Sequence, residues 1–378
     1  MSAERRGRRA RPGSWPLWFG TLLAAAGVLA AGVLGTLVAR SSGKPRPFLD
    51  DRGRPLTESI SEKAFVKING ARQGMFLKGR DRRDPVLLYL HGGLPDVFLS
   101  GGRPTGLEEL FTVAWWEQRG SGMSFDPAVG SDALTTELLI ADTLAVTDYL
   151  RERFGQDRIY LMAHSGGTFI GPQVVARAPE RYRAYIGVAQ MVDQLESERL
   201  AYEFMLERFR VLGDRAMVRR LEASPVTSSG TPPGYLGLRD VAMHRLGIGT
   251  THDMRSIVTG LLLPSLTYSE YTLREKIDLW RAKRRAGVSP LWGEMLATDL
   301  ATVVPSLPVP AYFFHGRHDY TCSYELAARY VSALEAPLKG FYTFEQSAHS
   351  PVFEEPARSR DILRQDVLRA RADLGDAI

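Results

Sequence analysis

The chain has 378 residues, 44% hydrophobic and 24% charged, which is the composition of a globular protein long enough for one large domain with an inserted subdomain. Its net charge of +5 comes from residues 1–46, which hold eight Arg or Lys and one Glu, so the remainder carries about −2. We therefore expect no nucleic-acid partner. Cys322 is the only cysteine, which excludes an intrachain disulfide.

A basic tail, residues 1–14, precedes an uncharged apolar stretch at residues 15–39. As a helix this stretch would span about 37 Å, more than the roughly 30 Å of a hydrocarbon layer. It predicts a single-pass membrane anchor. The arginines before it predict a cytoplasmic N-terminus, with the rest of the chain on the other side of the membrane. The alternative is a cleaved signal peptide and a secreted protein.

Residues 40–58 are rich in Gly, Pro, Ser and charge, and predict a linker. Residues 62–78 predict a hairpin with Asn69-Gly70 at its turn. Six further strands are predicted at 86–90, 111–116, 159–163, 185–189, 311–315 and 340–344. Helices between them, such as 135–154 and 168–178, predict an α/β fold: an eight-stranded, mostly parallel sheet with helices on both faces.

Ser165 lies where the apolar run 159–163 breaks into small residues before a helix. This strand, sharp turn and helix are typical of a nucleophile elbow, which lifts a serine hydroxyl clear of the sheet. The positions two before and two after the serine must be small, and Ala163 and Gly167 meet that need. The pattern predicts that Ser165 is a nucleophile.

A serine nucleophile needs a general base, and His349 follows the last predicted strand. The acid that orients the histidine is predicted to be Asp319, in the loop after strand 311–315. Asp193, after strand 185–189, is the alternative acid. No cluster with zinc spacing occurs, and we expect neither metal nor cofactor.

The region 192–305 contains no convincing strand and predicts a helical cap inserted between residues 59–191 and 306–378, the two parts of the core domain. Three acidic residues, Glu196, Glu198 and Glu203, lie near its start, and a helix with Glu and Arg at such spacing is typical of a solvated face.

Three motifs resemble the prolyl aminopeptidase group of α/β-hydrolases. They are HGGLP at 91–95, EQRGSGMS at 117–124 and AHSGG at 163–167. The resemblance covers about residues 60–370. It implies an oxyanion hole formed by the backbone N–H groups of Gly166 and of Gly93 or Leu94. It also implies acidic cap residues that hold the free amino terminus of a peptide, and Glu196, Glu198 and Glu203 are the candidates for this role.

The sequence therefore predicts a serine hydrolase that acts through an acyl-enzyme on a small-molecule or peptide substrate, cleaving an N-terminal residue or an ester. A carboxylesterase or an acyltransferase would use the same three residues. The remaining alternative is a binding module of this fold without catalytic activity.

Overall fold

The computed structural model describes residues 28, 31–32, 35–130, 133–286 and 290–377. Eight strands form one sheet in the order β1-β2-β4-β3-β5-β6-β7-β8. They are β1 Ile60–Ile68, β2 Ala71–Gly79, β3 Val86–Leu90, β4 Thr112–Glu117, β5 Ile159–His164, β6 Tyr182–Val188, β7 Ala311–Gly316 and β8 Lys339–Phe344. Only β1 with β2 and β2 with β4 pair antiparallel, as the predicted hairpin requires, and the other pairs are parallel.

Helices cover both faces of this sheet, as the hydrophobic strands demand. In β3 the side chains of Val86, Leu88 and Leu90 pack into one buried cluster, whereas Leu87 and Tyr89 pack into another on the opposite face. The core helices are α1 Thr136–Phe154, α2 Gly167–Arg177, α10 Tyr324–Ala333, α11 Pro351–Glu354 and α12 Pro356–Gln365. The predicted α/β-hydrolase fold is confirmed.

A helical insertion, here called the cap, separates β6 from β7. Its helices are α3 Gln194–Val211, α4 Arg215–Glu222, α5 Tyr235–Leu246, α6 Leu263–Thr267, α7 Leu273–Ala286, α8 Pro290–Ala297 and α9 Leu300–Val303, with a π-helix at Val258–Leu262. Side chains such as Met205, Phe209 and Leu221 give the cap its own buried cluster. The cap therefore packs as a small subdomain that stands beside the core.

The segment that leads into β1 is bonded to the cap. Gly43 N–H donates to the carbonyl of Ser269 at 3.1 Å, and the ammonium of Lys276 donates to the carbonyl of Arg40 at 2.6 Å. The predicted linker at 40–58 thus makes specific contacts with the chain around the start of α7.

Most of the stretch 15–39 predicted as an anchor lies outside the described residues. Within the described residues, no helix combines the length and the apolar character that crossing a bilayer requires.

Candidate active site

Ser165 occupies a tight turn between β5 and α2. Its φ of 55° is left-handed, a conformation that costs energy for a residue with a side chain. Its N–H donates to the carbonyl of Val188 at 3.0 Å, which holds the turn against β6. A Cβ on Gly167 would lie 2.3 Å from the carbonyl oxygen of Leu90, so only glycine fits there. The local sequence thus forms the predicted elbow.

The three residues predicted as a triad lie in one hydrogen-bonded chain. Ser165 Oγ lies 2.7 Å from His349 Nε2, and His349 Nδ1 lies 2.9 Å from Asp319 Oδ2. The other carboxylate oxygen of Asp319 accepts the N–H groups of Thr321 and Cys322, at 2.8 and 3.0 Å. Burial raises the pKa of Asp319, but His349, His315 and the N–H of Cys322 lower it overall, so the carboxyl is ionised at neutral pH. The alternative acid, Asp193, instead caps α3 by accepting the N–H of Glu196 at 2.9 Å.

Hydrogen bonds from the backbone on both sides of His349 hold the loop that carries it. Glu354 Oε1 accepts the N–H groups of Ala348 and Ser350, at 3.0 and 3.2 Å. Its other oxygen accepts the N–H of His252, which belongs to the cap. Burial raises the pKa of Glu354 to about 7. A single carboxyl therefore ties the backbone of the histidine loop to the cap.

His164, just before the serine, joins the elbow to two other parts of the site. Its Nδ1–H donates to Asp96 Oδ2 at 2.8 Å, and its Nε2–H donates to the carbonyl of His349 at 2.8 Å. Both ring nitrogens face acceptors, an arrangement that a doubly protonated ring satisfies. Burial lowers the pKa of His164, but the bond to Asp96 and its charge raise it overall. Asp96 Oδ2 also accepts the hydroxyl of Tyr89 at 2.9 Å.

The glycine-rich loop after β3 lies against the elbow. A Cβ on Gly92 would come within 2.7 Å of Ser165 Cβ, so the close approach falls on Gly92. The N–H groups of Gly93, Leu94 and Gly166 donate to no acceptor among the described residues, which leaves them free for a ligand. Their role in an oxyanion hole stays a prediction.

His91 stabilises the glycine-rich loop through hydrogen bonds to two backbone groups. The N–H of Gln118 donates to His91 Nε2 at 3.0 Å, and His91 Nδ1–H donates to the carbonyl of Gly92 at 2.7 Å. Burial lowers the pKa of His91 to about 4, so the ring is neutral and can make this pair of bonds. The motifs at 91–95 and 117–124 thus support each other physically.

A cavity of about 880 Å³ lies between the core and the cap and includes Ser165 and His349 in its lining. Apolar cap side chains line part of it: Leu236, Met243, Trp280, Leu291, Trp292 and Met295. Its described lining also holds seven basic and three acidic residues: Arg72, Arg119, Arg239, Arg274, Lys283, Arg284 and Arg285, against Asp96, Asp126 and Asp240. The charged side chains of the lining are therefore mainly positive, and three of the arginines pair with carboxylates outside it: Arg119 with Asp142, Arg239 with Glu198 and Arg274 with Asp278.

The three acidic residues predicted to bind substrate do not line this cavity. Glu196 and Glu203 both pair with Arg199 on the solvent side of α3, as i,i+3 and i,i+4 neighbours do. Glu198 is fully buried and pairs with Arg239, and burial raises its pKa. The spacing thus places two of them on a solvated face and turns the third inward.

Sequence reasoning missed several residues that shape the site. Asp96 follows the HGGLP motif directly, which was a signal in principle. Lys283 belongs to a basic run at the end of α7, a pattern that helix C-termini show for electrostatic reasons alone. Glu117 stands in the EQRGSGMS motif and accepts hydrogen bonds from Tyr271 of the cap and from the N–H of Met123.

No group of three or more His, Cys, Asp or Glu side chains is placed to hold a metal ion within the part of the chain that the structure describes.

Comparison with known proteins supports the same fold. A family model described as alpha/beta hydrolase fold matches residues 85–356. The probable aminopeptidase YbaC of Bacillus subtilis (strain 168) is 30% identical over 310 residues, 80% of this chain and 95% of that protein.

Two solved structures resemble the chain in fold. Proline iminopeptidase of Mycobacterium smegmatis has a TM-score of 0.57 at 16% identity and covers 82% of this chain and 98% of its own. Est816, described as an N-acyl homoserine lactone degrading enzyme, has a TM-score of 0.54 at 15% identity, with 80% and 100% covered. At such identities these structures show the fold alone. The matched family model and the extent of the YbaC match establish that this chain belongs to the α/β-hydrolase family of enzymes.

Proposed function

We propose that this enzyme is a serine hydrolase that forms an acyl-enzyme on Ser165. The observation that carries the proposal is the unbroken chain from Ser165 Oγ through both nitrogens of His349 to an ionised Asp319. An imidazole in this arrangement can accept the serine proton, because the carboxylate stabilises the imidazolium that forms.

In the first step Ser165 Oγ attacks the carbonyl carbon while its proton passes to His349 Nε2. The carbonyl oxygen becomes an oxyanion at the N–H groups of Gly166 and of Gly93 or Leu94, which have no other described acceptor. His349 then protonates the leaving group as the tetrahedral intermediate collapses. Water, activated by the same histidine, attacks the acyl-enzyme, and release of the acid restores Ser165.

Two bonds are candidates for cleavage. The relative at 30% identity is named a probable aminopeptidase, which favours the amide bond of an N-terminal residue. An ester is the second candidate, since Glu196 and Glu203 lie away from the cavity and leave a free amino group without those two partners. Acyl transfer differs only in the nucleophile that reaches the acyl-enzyme. The location outside the cytoplasm stays a prediction from the sequence.

The test is a comparison of substrates on the full chain. Hydrolysis of prolyl and other aminoacyl arylamides is measured beside that of short acyl aryl esters, with Ser165→Ala as the blank. We expect Ser165→Ala to reduce kcat by a factor on the order of 10⁵ or more. Ser229→Ala, at an exposed cap serine, is the matched control and should keep full activity.

Turnover of the arylamides would identify an aminopeptidase, and turnover of the esters alone would identify an esterase. Turnover that survives in Ser165→Ala would overturn the proposed mechanism.

A further inference from the structure

Lys283 places a positive charge beside the predicted oxyanion hole. It lies on α7, is half-buried and lines the same cavity as Ser165. Its ammonium lies 3.6 Å from the position that a Cβ on Gly93 would take, so it stands over the backbone of the glycine-rich loop. A substrate whose carbonyl reaches Ser165 therefore passes close to this charge.

The other charged side chains nearby form ion pairs with one another. Arg239 binds Asp240 at 2.9 Å and also binds the buried Glu198. Lys283 forms no ion pair with any carboxylate in the described ranges. Its charge still reaches Asp240: burial raises the pKa of that carboxyl, but Arg239 and then Lys283 lower it overall. The Lys283 ammonium is thus near the Arg239–Asp240 ion pair without forming a salt bridge to it.

The neighbouring basic residues of α7 have other partners. Arg285 donates to the carbonyls of Val129 and Pro127, and Arg274 and Arg281 both pair with Asp278. Arg284 has no ion-pair partner among the described residues, but its side chain is exposed. Lys283 is therefore the α7 cation best placed to meet a ligand at the glycine-rich loop.

The geometry points to a substrate with an anionic group, a carboxylate in the simplest case, that binds Lys283 while its scissile carbonyl lies at Ser165. This inference rests on the proposed function and names the substrate class of that site. A lysine ammonium is a compact point charge that suits a carboxylate, and the excess of basic over acidic side chains in the cavity lining also favours a negatively charged ligand.

The test uses two matched pairs of aryl esters on the full chain. In one pair the acyl chain ends in a carboxylate or in its methyl ester; in the other the phenol leaving group carries a carboxylate or its methyl ester. We expect the unaltered enzyme to prefer the carboxylate in at least one pair. Lys283→Met should lower kcat/KM for that substrate by about tenfold, the effect of one charged hydrogen bond, and leave its neutral partner within about twofold.

Two controls keep the result interpretable. Arg281→Gln removes a charge from the same helix outside the cavity and should preserve the preference. Lys283→Arg retains the charge and should retain most of the preference, and melting temperatures show whether each variant is folded.

The outcomes separate this inference from the proposed function. If both members of each pair lose the same factor in Lys283→Met, the lysine acts on the oxyanion or on packing, and the anionic substrate is excluded. Equal rates for charged and neutral esters in the unaltered enzyme exclude it as well. Turnover that persists in Ser165→Ala would instead contradict the proposed function and leave nothing for Lys283 to select.

Discussion

The core and the cap place their side chains over the same cavity in different ways. In the core, Ser165, Asp319 and His349 lie in the turns and loops that follow β5, β7 and β8, so the parallel sheet brings them together at the carboxyl ends of its strands. In the cap, Arg239 and Lys283 reach the cavity only through the packing of α5 and α7 against their neighbours. The proposed catalytic residues are thus brought together by chain order and sheet topology, whereas the proposed substrate-binding side chains depend on how helices pack.

The largest effect expected from the contrast between core and cap tests whether the acid comes from the core. Asp319→Asn should lower kcat by roughly 10⁴-fold, because the amide leaves His349 with the wrong tautomer for taking the serine proton. Asp193→Asn, at the junction with the cap, should leave kcat nearly unchanged, and stability too, since Asn caps a helix about as well as Asp. Steady-state kinetics of the two variants decides the matter. The reverse ranking would identify Asp193 as the acid and contradict the assignment of all three proposed catalytic residues to the core.

A second prediction concerns Glu117, where the core meets Tyr271 of the cap. Burial raises the pKa of Glu117 from 4.5 to about 7. Between these values the folded protein keeps a proton that the unfolded chain has lost. The free energy of unfolding therefore falls as pH rises through this range, by up to about 3 kcal/mol from this group.

Glu117→Gln removes this titration and should become more stable relative to the unaltered protein as the pH increases from 5 to 8. Denaturant unfolding at several pH values measures the difference. Glu58→Gln, at an exposed carboxylate, should show no such trend. If the free energies of unfolding of Glu117→Gln and of the unaltered protein change in parallel with pH, the pKa of Glu117 is not raised in the folded protein.

The smallest effects are expected for Glu196→Gln and Glu203→Gln. Each loses an exposed ion pair with Arg199, which contributes less than about 1 kcal/mol. We expect kcat/KM to stay within about twofold for aminoacyl arylamides and for their N-acetyl counterparts. A KM that rises only for the arylamides with a free amino group would return these residues to the substrate site and sharpen the role of the cap.

Residues whose position follows from local geometry could be predicted from the sequence. Ser165 was recognisable because a strand, small flanking residues and a helix form one turn, and Gly167 shows how little space that turn leaves. The six strands β3 to β8 were recognisable because their runs are mostly apolar and buried on both faces, whereas β1 and β2 were recognisable from the Asn69-Gly70 turn between them. The predicted strand at 185–189 began three residues late, since exposed Arg183 interrupts the apolar run of β6.

Contacts between distant segments could not be predicted in this way. The bond of His164 to Asp96 joins residues 68 positions apart, and the distance of Lys283 from Gly93 depends on the orientation of α7. The acidic residues of α3 show the same limit. Their spacing fits a solvated face and a binding site equally well, and tertiary packing separated Glu198 from its two neighbours.

The contacts of residues 40–46 with the cap couple the start of the folded domain mechanically to helix α7. Lys276, fully buried, holds the Arg40 carbonyl, and Arg46 reaches Glu270 one loop earlier. Helix α7, which carries Lys283, begins at Leu273, between Glu270 and Lys276. A force applied to the chain upstream of Arg40 would therefore pull on α7 before it reached the sheet. Truncation downstream of Arg40 would remove the contact with Lys276 and loosen the same helix.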